Sequence, residues 1–173
     1  ANGARLITLS SIAQRMGAVD FSDMNYDQRP DDKWQAYGQA KSAQSLMAVE
    51  LDRREKDNGI RSFAVHPGGI FTPLQRHLSN AEMAEFGWTD ADRNPSAVAE
   101  KLFKSPSQGC ATSVWAATAV SLDGMGGVYC EDCNISRVVA DDSNDFTGVR
   151  QWAVASDIAE QLWDETTLML AGL

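Results

Sequence analysis

The sequence predicts an α/β fold built on a parallel sheet, and three observations carry that prediction. Residues 5–11 (RLITLSS) and 60–66 (IRSFAVH) are short apolar runs of strand length. Residues 33–58 between them have the length and composition of one long helix. Gly59 stands where that helix must end and the second strand begin. Strand, helix, strand is a βαβ unit, whose crossover makes the two strands parallel.

The elements follow in order. The first strand is buried in character and stops at the small polar pair Ser10-Ser11. Residues 12–32 are polar, with Gly17, Asp20, Asp23, Asn25 and Pro30 scattered through them, and are expected to form a loop. Asp31 or Asp32 is placed to cap the long helix. Ala36, Ala40, Ala43, Met47 and Leu51 recur at helical spacing and are expected to form its buried stripe. Beyond the second strand, residues 72–92 mix charges with Leu74, Leu78, Met83, Phe86 and Trp88 and suggest short helices. Residues 96–104 and 107–120 read as two further helices, the latter after Ser105-Pro106. Residues 127–130 read as a third strand. Residues 149–170 read as a final amphipathic helix with Trp152, Ala155, Ala159, Leu162, Trp163, Thr166 and Met169 on one side.

Composition narrows the function classes. The 173 residues suffice for one domain with a core, and the apolar and charged fractions are those of an ordinary globular chain. A net charge of −9 argues against nucleic acid or an anionic membrane as partner, because both need clustered Lys and Arg. No apolar run has the length of a membrane span. The start, ANGARLITLSS, lacks signal-peptide features and enters a strand almost at once, so Ala1 is read as a cut or as the first ordered residue of something longer. Three cysteines without a signal suggest reduced thiols and a cytoplasmic setting. Cys130 and Cys133 form a Cys-x-x-Cys, but both histidines are distant and the pair follows a strand. Packed thiols are expected there, and no metal site.

The chemistry sits at Tyr37-Gly38-Gln39-Ala40-Lys41. A tyrosine and a lysine at i and i+4 share one helix face. A free phenol holds its proton to about pH 10, and a neighbouring ammonium favours the phenolate. Such a pair suits proton exchange with an alcohol or carbonyl oxygen, and a serine at a strand end can hydrogen-bond the same oxygen. Tyr37 is the expected general acid/base, Lys41 its electrostatic partner and Ser11 the oxygen stabiliser. Pro67-Gly68-Gly69-Ile70-Phe71-Thr72 leaves the carboxyl end of the second strand, where open α/β sheets bind ligands. Glycines there allow close backbone approach. Tyr-x-x-x-Lys alone also fits a surface helix, and Pro-Gly alone also fits a tight turn. The three segments together, in this order, carry the assignment.

From residue 5 to about residue 78 the chain resembles the retinol-dehydrogenase-like branch of the short-chain dehydrogenases/reductases, which includes the oxidoreductase domain of the WW-domain oxidoreductase. The long Ser11–Tyr37 separation, with GAVDFSDMN inside it, matches that branch's insertion. Residues 127–133 (GVYCEDC) look like its late Gly-x-Tyr-Phe-x-Asp-Cys element. The resemblance implies a Rossmann-type, doubly wound sheet and an NAD or NADP cofactor, with NADP favoured. It implies a small alcohol or carbonyl substrate. Ser11, Tyr37 and Lys41 would be catalytic, and Tyr37, Lys41, Pro67, Gly68, Ile70 and Thr72 would face the cofactor, Lys41 at its ribose. The apolar residues 74–88 fall where the family places its substrate lid and suggest an apolar substrate. His66 is read as structural, and His77 is given no role.

The family's Thr-Gly-x-x-x-Gly-x-Gly turn and its Asn-Asn-Ala-Gly segment do not occur in these residues. Residues 1–173 are therefore read as the carboxy-terminal, catalytic portion of one such domain, without the first βαβ half and with an open apolar sheet edge. The macromolecular partners this reading allows are a second chain supplying that half or a second copy in a homo-oligomer, and the sequence leaves the oligomeric state open. The alternative reading is a non-catalytic relative that senses a nucleotide or binds a partner.

Overall fold

Strand β1 (Ala4–Leu9) runs parallel to strand β2 (Ile60–His66), with partners from Ala4↔Ile60 to Leu9↔Val65. Helix α1 (Lys33–Glu55) makes the crossover between them. The structure, a computed structural model, describes residues 3–172. Ala1, taken above as a cut, lies outside them.

Helices α2 (Asn80–Glu85), α3 (Ala97–Leu102), α4 (Pro106–Gly109) and α5 (Ala111–Thr118) follow β2. Strand β3 (Val128–Glu131) pairs parallel with β2, and β4 (Asn134–Ile135) folds back antiparallel on β3. The sheet order is β1-β2-β3-β4. Strands β5 (Val138–Val139) and β6 (Val149–Arg150) form a separate parallel pair, and helix α6 (Ser156–Ala171) ends the chain. Two compact units result. The larger comprises the described residues up to Pro67 and from Thr112 onward, and the smaller is Gly68–Ala111.

The fold is α/β on a mostly parallel sheet, and β2 shows why. Side chains alternate across a strand. Ala64 points to one face, where it packs with Tyr129 and with Ala48 of α1. Phe63 and Val65 point to the other, where they pack with Cys130 and with Ala116 of α5. Helices on both faces bury the centres of the middle strands, as parallel sheets require. β1 stands at the end of the sheet order, and its Leu6 and Leu9 remain 39% and 52% exposed.

Helix α1 obeys its end signals and breaks its expected pattern. Asp32 caps it by accepting from the Trp34 and Gln35 amides. A 3-10 turn, Lys56–Asn58, ends at Gly59, whose φ of 78° is the left-handed conformation that glycine adopts without strain. The buried stripe, however, is not the predicted one. Ala40 and Met47 are exposed, and Ala36, Ala43 and Leu51 are only partly covered. Gly38, Gln39, Ser42, Ser45, Leu46, Ala48, Glu50 and Asp52 are buried instead. The helix lies so close to its neighbours that small and hydrogen-bonded residues take the inner face.

Three other expectations change. Residues 149–170 are not one helix: Val149–Arg150 pair with β5, a 3-10 turn follows at Gln151–Ala153, and α6 starts at Ser156. Residues 107–120 split into α4 and α5, with Ser105 capping α4 through a capping box with Gln108. Residues 12–32 contain a 3-10 turn, Ile12–Met16. No helix among the described residues is long and apolar enough to cross a membrane.

The foot of α1 is pinned by charge. Asp52 accepts two hydrogen bonds from Arg61, at 2.8 and 2.9 Å, and one from the Ser62 amide. A side chain at Gly126 would lie inside that carboxylate, which explains the glycine. Glu50, fully buried, accepts from Arg53 and Arg54. Those arginines reach on to Glu160 and Asp164 of α6.

Candidate active site

Tyr37 and Lys41 stand one turn apart on the first half of α1. The Lys41 ammonium lies 5.5 Å from the Tyr37 ring centroid. It donates to the Leu9 carbonyl and to Gln44 Oε1, both at 2.8 Å. Leu9 is the last residue of β1, so the lysine bridges the helix face and the carboxyl end of a strand. Both acceptors are neutral, and burial holds the Lys41 pKa below its ordinary value. Tyr37 is half-buried, and among the described residues its hydroxyl makes no hydrogen bond.

The two serines after β1 divide the work. Ser10 is buried; it donates to the Lys41 carbonyl at 2.8 Å and accepts from Ser45 Oγ at 2.8 Å. It fastens the strand end to the Lys41 turn of the helix. Ser11 is only half-buried and caps the 3-10 turn, where its Oγ accepts from the Ala13 amide at 3.2 Å. Its own proton stays available to a ligand. No hydrogen bond joins Ser11 to Tyr37 among the described residues. His66 has the structural role read from the sequence: its Nδ1 accepts from the Ile12 amide at 3.3 Å and ties the end of β2 to the Ser11 turn.

Close backbone packing holds the Ser11 turn against the helix. A Cβ on Gly38 would lie 2.8 Å from the Ala13 carbonyl oxygen and 2.8 Å from the Gly17 nitrogen. A Cβ on Gly17 would lie 2.8 Å from the Gln35 carbonyl oxygen. Neither position has room for a side chain. Gln14, fully buried, locks the turn from the other side. Its side chain donates to the Gly148 carbonyl and accepts from the Arg150 amide, each at 3.2 Å, as a neighbouring strand would. Its carbonyl accepts from Ser42 Oγ and from Trp152 Nε1, both at 3.0 Å.

The remaining predicted residues divide between the units. Pro67 follows β2 at the end of the larger unit's first segment. Gly68, Ile70 and Thr72 belong to the smaller one. Gly68 has φ +97°, which explains a glycine at that exit. The Ile70 carbonyl accepts from Gln75 Nε2 at 2.8 Å. Thr72 caps the 3-10 turn Pro73–His77 through a capping box with Gln75.

Ser10, Gln14, Ser45 and Tyr129 are site-supporting residues that the sequence reading missed. Tyr129 is 2% exposed, and its hydroxyl lacks a partner among the described residues. Burial pushes that phenol well above its ordinary range; Ser10 stands near it without completing a hydrogen bond. The expectation of two packed thiols holds for Cys130 alone, where burial raises the pKa to about 12. Cys133 is exposed, because it occupies the left-handed turn between β3 and β4 at φ 55°.

Two measurements check this geometry. By helix propensity, Gly38→Ala should stabilise the chain by about 1 kcal/mol. Because the added methyl meets backbone atoms, the expected result is instead a loss of about 2 kcal/mol in urea unfolding. A gain in stability would refute the packing. In an NMR titration of the lysine Cε resonances, Lys41 is expected to lose its proton below the usual 10.5. Between that midpoint and 10.5 the unfolded chain binds the extra proton, so stability rises with pH relative to Lys41→Met. A Lys41 midpoint at or above 10.5 contradicts the buried placement.

No family model matches the chain. Among curated proteins, it is 38% identical to a "Probable oxidoreductase" of Streptomyces antibioticus over 96% of the chain and 55% of that protein. It is 34% identical to "Short-chain dehydrogenase/reductase prx1" of Penicillium roqueforti, over 96% of the chain and 47% of that protein. It is 32% identical to "Retinol dehydrogenase 12" of Mus musculus, over 93% of the chain and 47% of that protein. A solved structure, a putative uncharacterized protein from Mycobacterium paratuberculosis, shares the fold with a TM-score of 0.58 at 23% identity, covering 95% of this chain and 49% of that one. The chain spans about half the length of the curated relatives it matches. The alignments with named dehydrogenases run nearly end to end along these residues, and the chain belongs to the short-chain dehydrogenase/reductase family.

Proposed function

We propose that this chain is the catalytic portion of an NAD(P)-dependent oxidoreductase that interconverts an alcohol and a carbonyl. The observation that carries the reading is the Tyr37–Lys41 pair. A phenol without a hydrogen bond among the described residues stands beside an ammonium held by two neutral oxygens, one at a strand end and one on the helix. In this reading Tyr37 moves a proton to or from the substrate oxygen, and the Lys41 charge favours the phenolate during that step. Ser11 donates its hydroxyl proton to the same oxygen and stabilises its developing negative charge.

The nicotinamide cofactor, when bound, supplies or accepts the hydride. The residues present fit its nicotinamide–ribose end. Lys41 keeps donor capacity for ribose hydroxyls beyond its two protein acceptors. The 173 residues contain no glycine-rich turn for the pyrophosphate. The isolated chain is therefore expected not to sustain turnover.

A fusion tests both statements. The amino-terminal half of the matched Streptomyces antibioticus "Probable oxidoreductase" is joined ahead of this chain and assayed with NADPH and NADH on a panel of aldehydes and ketones. Turnover is expected in the fusion and not in the chain alone, with Tyr37→Phe lowering the fusion's rate about 10³-fold. A Tyr37→Phe fusion as active as its parent rules out the proton role. A sustained, Tyr37-dependent rate from the isolated chain rules out the incomplete-site reading.

A further inference from the structure

The smaller unit holds a cavity of its own, of about 440 Å³, in the range of small-molecule sites. Phe71, Pro73, Met83 and Pro95 give it an apolar wall. Its polar members are Thr72, Gln75, Arg76, Thr89 and Arg93, and no carboxylate lines it.

Three features of this cavity point to a ligand. The Arg76 guanidinium donates to the Pro73 carbonyl, at 2.8 Å. The Arg93 guanidinium donates to the Leu78 carbonyl, at 2.7 Å, and to the Met83 sulfur. Among the described residues neither guanidinium meets a carboxylate, so each keeps donors and its full charge for something else. Thr89 is 5% exposed, and its hydroxyl is buried without a hydrogen-bond partner among the described residues. A buried polar group left unsatisfied costs stability unless a ligand or water completes it.

The surrounding loop keeps the arginine in place. Arg93 adopts φ 67°, a conformation rare outside glycine. The Asp90 carboxylate accepts from the Asp92 and Asn94 amides and from Asn94 Nδ2, which enforces that turn. Those bonds also occupy the Asp90 oxygens within the loop. Thr89 and Pro95 close the loop's base as an antiparallel bridge.

We infer that this cavity binds the anionic head of a small amphipathic acid, with Arg76, Arg93 and the Thr89 hydroxyl on the head and Phe71, Met83 and the prolines on the apolar body. The apolar lining alone fits any lipid-like alcohol; the two unpaired guanidinium groups and the unsatisfied hydroxyl select an acid. The inference is independent of the hydride-transfer reading, because binding is measured without turnover.

Calorimetric titration of the full chain with octanoate and with octan-1-ol tests it. Saturable binding of octanoate, at least about tenfold tighter than octan-1-ol, is expected. Arg76→Gln and Arg93→Gln should each weaken octanoate about tenfold and leave octan-1-ol unchanged. Thermal unfolding checks that each variant is folded. Arg76 is an exposed residue on a surface turn, so its variant remains informative if Arg93→Gln disturbs the loop. Equal affinity for the two probes, no saturable octanoate binding, or octanoate binding unchanged in Arg76→Gln overturns the inference.

Discussion

The backbone contact between the Ser11 turn and helix α1 is the constraint on which the larger unit's site depends. Gly17 and Gly38 let two backbones meet at a distance that no Cβ permits. The candidate site residues of that unit hang from this contact. Tyr37 is the residue before Gly38, Lys41 lies one turn later, and Ser11 caps the turn that packs there. The contact costs the helix one ordinary packing position, at Gly38, and the turn another, at Gly17. Hydrogen bonds offset that loss: Ser42 reaches the Gln14 and Gly17 carbonyls, and Ser10 and Ser45 clasp the Lys41 carbonyl. Buried polar groups satisfied in this way fix one arrangement more sharply than apolar packing would, because a shifted register leaves several of them unpaired.

Much of this was legible in the sequence because it is local. Asp32 and Gly59 announce the ends of α1 by chemistry that acts within a few residues. The strand assignments for β1, β2 and β3 rest on short apolar runs; the sheet buries the centres of β2 and β3, while β1 at the end of the order stays largely uncovered, against its buried character in the sequence. Tyr37 and Lys41 share a face for geometric reasons that need no tertiary information.

What the sequence hid is set by distant partners. The inner face of α1 escaped a reading that counts apolar residues, since Ser42, Ser45 and Glu50 are buried by hydrogen bonds and charge pairs. Gln14 looks like any loop glutamine until Gly148 and Arg150 come to it. β5 and β6 are too short to have a periodicity, and their pairing pulled Val149–Arg150 out of the expected helix. Division into two units has no compositional mark at Gly68 or Ala111. The unpaired arginines of the smaller unit were equally invisible, because a sequence does not show which charges find partners.

The central claim is that the Ser11 turn and the Tyr37–Lys41 segment form one rigid body. Native-state hydrogen exchange of the isolated chain tests it most directly. The account predicts that the Gln14 and Arg150 amides exchange only through the same large opening that exposes the Ser42–Leu46 amides of α1, with matching free energies and matching denaturant dependence. Exchange of the Gln14 and Arg150 amides by local fraying, while mid-helix amides stay protected, would contradict it: the turn would then be a loose loop, and Ser11 would have no fixed place beside the helix.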